Sequence, residues 1–171
     1  MLGVWTPEQI RAAEDRLFTR VPEPQVMRRA AYAVAVHTAQ VLEERTGGVA
    51  GRHVTLLVGA GNNGGDALYA GAGLRARGCR VDAVLLDPDR AHPRGLAALR
   101  RAGGRIHRAE DPGSRVPVPD VAIDGVVGLG GSGPLRSPAD RIVAGLAEAG
   151  VPWVAVDLPS GVDADTGTVH D

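Results

Sequence analysis

The sequence predicts an α/β fold, a mostly parallel sheet with helices on both faces, preceded by N-terminal helices. Three observations carry this. From His53 onward, short apolar and β-branched runs alternate with helical stretches, the pattern of parallel strands joined by crossover helices. The first unit, VTLLVGAGNNGGD at Val54 to Asp66, stops at a glycine-asparagine loop that ends in an acid. Turn residues then close each later unit, at Gly78, Asp87-Pro88, Gly103-Gly104 and Gly150.

The elements follow in order. Thr6-Pro7-Glu8-Gln9 is a capping box with proline at the first helical position, opening a helix to about Phe18. Pro22 and Pro24 punctuate, and a second helix runs from about Glu23 to Arg45. Ala30, Ala33, Val34, Val41 and Leu42 give it a face to bury, and Thr46-Gly47-Gly48 ends it. Strand one is His53 to Gly59, followed by a loop and a helix over Ala67 to Arg77. Strand two is Arg80 to Leu86, and a helix spans Pro93 to Ala102. Arg105 to Arg108 reads as a short strand and Asp111 to Pro119 as a proline-rich loop. Val121 to Val127 is a strand, Pro138 to Ala149 a helix, and Trp153 to Leu158 the last strand. The architecture is a Rossmann-like three-layer αβα sandwich. The chain reads as one domain over 1–171, with N-terminal helices over 1–48 and a sheet core over 49–171.

Composition excludes several classes of function. A net charge of −1 argues against a protein that grips nucleic acid electrostatically, and 3% aromatic residues leaves few rings for base stacking. Cys79 is the sole cysteine, so neither an internal disulfide nor a thiolate metal cluster is expected. There is no lysine, which removes Schiff-base, Walker-type and Tyr/Lys hydride-transfer chemistry. The N-terminus lacks the apolar stretch of a secretory signal. No run approaches the roughly 18 apolar residues of a membrane span. A cytoplasmic protein without a membrane is the expectation.

In an open parallel sheet, ligands bind beyond the carboxyl ends of the strands. Three such ends are unusual here. After strand one, Gly59, Gly61 and Gly64 have G-x-G-x-x-G spacing and enclose Asn62 and Asn63, with Gly65 and Asp66 following. Backbone amides there, with the next helix's N-terminus, suit a diphosphate or dinucleotide. Asp66 reads either as a ligand contact or as a helix N-cap. A second loop, Gly125 to Gly133, carries five glycines, and Arg136 beyond it either pairs with phosphate or lies in solvent. The third is Asp157-Leu158-Pro159-Ser160-Gly161. Asp124, inside the apolar strand VAIDGVV, needs a partner, amide donors or a cation. Asp157, at a strand end, stands where an acid/base catalyst would.

The remaining candidates carry less. His37, His53, His92, His107 and His170 lack metal-ligand spacing and read as ordinary histidines. Cys79 reads as packing. Asp87 either holds a ribose, as in a dehydrogenase, or starts a turn with Pro88.

Together these stretches resemble the NAD(P)H-hydrate epimerase family, also called the YjeF N-terminal domain. The resemblance runs through TPEQIRAAEDRL, VMRRAAYAVA, GAGNNGGDAL, AIDGVVGLGGSGPLRSP and VAVDLPSGVDADTG. It implies an isomerase acting on hydrated NADH or NADPH, interconverting R and S epimers at C6. Asn62, Asn63, Gly64, Gly65 and Asp66 match one substrate-contacting segment. Gly128, Leu129, Gly130, Gly131, Ser132, Gly133 and Pro134 match a second, and Asp157 matches a contacting acid. Asn63, Asp124 and Ser160 match positions that hold one potassium ion, and oxygen ligands suit a hard cation. The resemblance further implies a homodimer and a functional link to a kinase-like dehydratase.

Three departures stand out. Ala67 replaces a usual glycine. Met27-Arg28-Arg29-Ala30-Ala31 replaces M-E-R-A-G. Family domains continue past the D-A-D-T-G stretch, so the sheet is expected to be incomplete at its C-terminal end. The expected catalyst is Asp157, moving protons at the C6 oxygen, with the glycine loops positioning the diphosphate. The rival readings are a nicotinamide-dependent dehydrogenase and a non-catalytic binding or scaffold module.

Overall fold

Thr6 caps the first helix, α1 (Pro7–Phe18), as its sequence predicts. Its hydroxyl accepts from the Gln9 N–H at 3.3 Å, and the Gln9 side chain accepts from the Thr6 N–H at 2.9 Å. The computed structural model describes residues 5–110 and 117–170. Pro22 precedes α2 (Glu23–Thr46), which ends at Gly47 in the left-handed conformation. The strands are β1 (His53–Val58), β2 (Arg80–Leu85), β3 (Arg105–Arg108), β4 (Val121–Gly125) and β5 (Trp153–Ala155). They alternate with α3 (Gly61–Ala76), α4 (Pro93–Arg101) and α5 (Ala139–Glu148). All pairings are parallel and the order is β3-β2-β1-β4-β5. The proline-rich loop expected at Asp111 to Pro119 falls partly on residues 111–116, outside the described residues.

Register explains the layers. Val54, Leu56 and Val58 align with Val81, Ala83 and Leu85 and, on β4, with Val121 and Ile123. That face packs against Val34, Ala35, Ala39 and Leu42 of α2, Leu68 and Leu74 of α3, and Leu99 of α4. The alternate residues Leu57 and Val84 face Ala139, Ile142 and Val143 of α5. The sheet is thus covered on both sides, which suits the largely apolar central strands β1, β2 and β4.

Three boundaries differ by more than one residue from the sequence expectation. The loop expected at Gly61 to Asp66 is the start of α3, not a connection before it. Glycine disfavours helix interiors by about 1 kcal/mol each, which pointed to a loop; close packing overrides it. A methyl on Gly64 would sit 2.2 Å from the Gly59 carbonyl oxygen, so bare backbone lets the helix meet the strand end. Gly61, at φ +80, makes the turn into the helix. The strands expected to reach Val127 and Leu158 end instead at Gly125 and Ala155. Beyond β5 the described residues add only an isolated antiparallel bridge, Val162 to Val169.

Gly64→Ala is therefore expected to destabilise the chain by about 1–3 kcal/mol through overpacking. Urea unfolding measures this; an unchanged midpoint would mean the helix can move off the strand without cost.

One buried polar cluster was not anticipated. Asp82, 2% exposed, accepts from the imidazoles of His53 and His107, each at 2.6 Å. Burial pushes its pKa up, but the two imidazole hydrogen bonds and the histidine charges outweigh burial, so the net value lies below the ordinary carboxylate range. A carboxyl with a lowered folded pKa stabilises above its unfolded pKa of about 3.9, and that stability is lost as pH falls through the folded value. Asp82→Ala is expected to cost about 3 kcal/mol at neutral pH, and much less at a pH below the lowered value of the folded carboxyl, in paired urea melts. Equal losses at both pH values would show that the carboxylate charge contributes nothing. His92 and Cys79 have structural roles. His92 caps α4 through Nδ1, which accepts from the Gly95 N–H at 3.0 Å. Cys79 is buried, and burial pushes its thiol pKa up.

Candidate functional site

The strand order reverses between β1 and β4, and a cleft opens there at the carboxyl edge. A cavity of about 510 Å³ lies over this point. The start of α3 gives it Asn62, Asn63 and Asp66, the loop after β4 gives Gly128, Leu129, Gly130 and Gly131, and the segment after β5 gives Asp157. The first three amides of a helix have no acceptor within it. Gly61 N–H turns to the Arg90 carbonyl at 3.4 Å, leaving those of Asn62 and Asn63 at the cavity's edge.

Asp157 is exposed and accepts from the Leu129 N–H at 2.7 Å, tying the acid to the glycine loop. A methyl on Gly128 would lie 2.6 Å from Asp157 Oδ2 and 3.4 Å from Asn63 Oδ1, so bare backbone separates these two side chains. Asp66 is half-buried. Burial first, and the charge of Asp157 second, push its pKa up to about 7. Among the described residues, the buried side-chain polar atoms without a partner are Thr55 Oγ1, Asn63 Nδ2 and Asp66 Oδ1. Two of the three belong to this cavity, and an unsatisfied buried group is a cost that a bound molecule can offset.

Below the cavity, Asp124 is 8% exposed. Its Oδ2 accepts from the Ser160 N–H at 2.7 Å, and its Oδ1 accepts from the Ser160 hydroxyl at 2.7 Å and the Val126 N–H at 3.1 Å. The Val127 carbonyl lies 3.3 Å from Ser160 Oγ. The backbone of Asn63 adjoins β4, since a methyl on Gly125 would be 3.2 Å from its carbonyl oxygen. The Asp124 carboxylate, the Ser160 hydroxyl and the Val127 carbonyl bring oxygen atoms together here, while the Asn63 side-chain oxygen lies toward Gly128. Oxygen ligands of this kind suit a hard cation, although three donors already satisfy the Asp124 carboxylate. No group of three or more His, Cys, Asp or Glu suited to a metal exists among the described residues.

The other sequence candidates divide. Gly64 and Gly65 are buried and do not line the cavity; Gly65 leaves room for His92, whose ring a methyl would meet at 2.9 Å. Ser132, Gly133 and Pro134 line a neighbouring depression of about 420 Å³, together with exposed Arg136. Asp87 Oδ1 accepts from the Arg90 N–H at 3.3 Å, which is the turn reading. Ala67 stands where glycine was expected, opposite Gly125; a methyl on Gly125 would come 2.5 Å from the Ala67 methyl.

The N-terminal helices supply residues that sequence reasoning missed. Arg11, Glu14 and Phe18 of α1 and Glu23 and Met27 of α2 line the cavity. Arg11 donates to the Leu129 carbonyl at 2.6 Å, and Asn62 donates to Glu23 at 2.7 Å. Among the described residues lining it, Arg11 is the one basic side chain. Their charge was visible, but their place over the cavity comes from long-range packing.

Fold and site define a class: Rossmann-like α/β proteins with a site at the carboxyl edge of a parallel sheet, where the strand order reverses. The family model described as YjeF-related protein N-terminus matches residues 23–171, and the chain belongs to that family. It is 47% identical over 169 residues to the bifunctional NAD(P)H-hydrate repair enzyme Nnr of Mycobacterium tuberculosis, covering 99% of this chain and 35% of that protein. It is 39% identical to an NAD(P)H-hydrate epimerase of Achromobacter xylosoxidans, covering 93% of this chain and 73% of that protein. The chain thus spans about a third of the length of its bifunctional relatives. The crystal structure of the yeast protein YNL200c superposes with a TM-score of 0.83 over 98% of this chain and 75% of that chain, at 23% identity, which supports the fold.

Proposed function

We propose that this chain is an isomerase that interconverts the R and S epimers of hydrated NADH and NADPH at C6. One observation carries the reading: Asn63, Asp157 and the Gly128–Gly131 loop converge on a single cavity, in a chain whose relatives include proteins named NAD(P)H-hydrate epimerase. The substrate carries a hydroxyl at C6 beside the ring nitrogen, a hemiaminal. The nitrogen lone pair can expel that oxygen, and water can return to either face. Both events need proton transfer at oxygen, and Asp157 is the group assigned to it. The free amides at the start of α3 and the glycine loop are assigned to the diphosphate, with Arg11 the nearby cation.

Potassium is proposed at Asn63, Asp124 and Ser160. It would supply a fixed positive charge beneath an anionic substrate. The reading extends to a homodimer in the cytoplasm and to a kinase-like dehydratase that consumes one epimer. No helix among the described residues is long and apolar enough to cross a membrane.

The test is direct. The purified chain is mixed with the R epimer and C6 is followed by NMR, with and without potassium. Conversion faster than buffer, and faster still with potassium, is expected. A folded sample that does not beat buffer would leave the binding-module reading. Turnover of an alcohol with NAD, without epimerisation, would support the dehydrogenase instead.

A further inference from the structure

We infer that Asp66 and Asp157 work as a pair on one catalytic proton, Asp66 delivering it to the departing C6 oxygen and Asp157 taking one from the incoming water. This rests on the epimerase reading and adds a catalytic residue to it. An epimerase needs an acid where the hydroxyl leaves and a base where water arrives, and a single carboxylate cannot serve both faces of the ring at once.

The geometry supplies two carboxylates with different surroundings. Asp66 rises from α3, after β1, and Asp157 follows β5, on the far side of β4. Both line the same cavity. Asp157 is exposed to it and anchored by the Leu129 N–H at 2.7 Å. Asp66 lines the cavity while its Oδ1 is buried and without a partner, a setting that penalises the ionised carboxylate and favours the protonated acid. Environments that drive two carboxyls apart mark one as acid and the other as base. With its pKa raised to about 7 by burial and by Asp157, Asp66 holds a proton for much of the time at neutrality. The other charged groups lining the cavity are Arg11 and Glu14 of α1 and Glu23 of α2, with Asp124 at the end of neighbouring β4.

The step balances. Asp66 protonates the C6 hydroxyl as the ring-nitrogen lone pair forms a double bond to C6; the C–O bond breaks and its electrons leave with water. Water then adds to C6 from the opposite face. The double-bond pair returns to nitrogen, and the adding water's proton passes to Asp157. Nothing is oxidised or reduced. The opposite epimer uses the same pair with the proton starting on Asp157, so either direction is served.

The experiment compares the full chain with Asp66→Asn, following C6 of the R epimer by NMR and measuring its binding by line broadening. Asp66→Asn is expected to lose roughly 100-fold or more in conversion rate, with binding unchanged within about three-fold. The wild-type kcat is expected to fall above about pH 7, because the acid must carry its proton. A folded Asp66→Asn chain within about three-fold of the wild-type rate would overturn the pair while leaving the epimerase reading intact. If that variant does not fold, the wild-type profile decides: a level kcat from about pH 6 to 9 overturns the proposal, and a loss above about pH 7 supports it. A wild-type chain no faster than buffer sinks the epimerase reading itself, and the pair with it.

Discussion

Asp157→Asn is expected to slow R/S interconversion by about 10²–10⁴-fold while the chain remains folded, because a positioned proton carrier contributes on that scale. The amide keeps the size of the carboxylate, and its oxygen can still accept from the Leu129 N–H, so the loop should hold its place. What disappears is the ability to take a proton from water. A second consequence follows from charge. Asp157 is one of the two causes that raise the pKa of Asp66. Removing its charge lowers that pKa, so any residual activity should be lost at a lower pH than in the wild type. The rate at neutral pH tests the first effect and the pH profile the second. Near-normal interconversion in the folded variant would remove Asp157 from the chemistry, whatever else it contacts.

Asp124→Ala is the second large effect, and it falls on stability. Asp124 accepts hydrogen bonds from Val126 N–H, Ser160 N–H and Ser160 Oγ, at 2.7 to 3.1 Å. The side chain lies near the buried end of β4, and its bonds tie the loop after β4 to the loop after β5. Removing it leaves the Val126 and Ser160 N–H groups without their acceptor in a half-buried site, while the Ser160 hydroxyl can still donate to the Val127 carbonyl, a loss of about 2–4 kcal/mol. Because Asp124 is also assigned to the potassium site, any stabilisation by potassium should vanish with it. Urea melts of both chains with potassium and with tetramethylammonium measure the two effects together. A cost below about 1 kcal/mol, or an undiminished potassium response, would contradict the assignment. Ser160→Ala removes the hydroxyl but keeps the backbone N–H bond, and its smaller loss separates side-chain from backbone anchoring.

The site was partly legible because acids inside or at the ends of apolar strands are costly and conspicuous. Asp124 and Asp157 stood out for that reason, and in a parallel sheet their strand ends share one edge. Gly61 was legible as a turn, but the helix that begins there was not. Local propensity counts the cost of glycine in a helix, and cannot count the contact between Gly64 and the Gly59 carbonyl. Arg11 and Glu23 were hidden for another reason. Charges on an exposed helix look alike until the helix is placed. Likewise Asp66 read as a ligand contact or an N-cap; Ala60 holds the N-cap position, and Asp66 lies nearly two turns further in, half-buried at the cavity that Asp157 also lines.

Taken alone, the order of residues determined the alternation of strand and helix, the parallel pairing, and the three loops that close on one edge. Those follow from periodicity and turn chemistry, which are local. Only the tertiary structure decided which polar atoms lose their water and which charges become neighbours. Burial and proximity raise Asp66 to about 7 and bind His53 and His107 to Asp82. Both are sums over segments distant in sequence, and no window of the chain contains them.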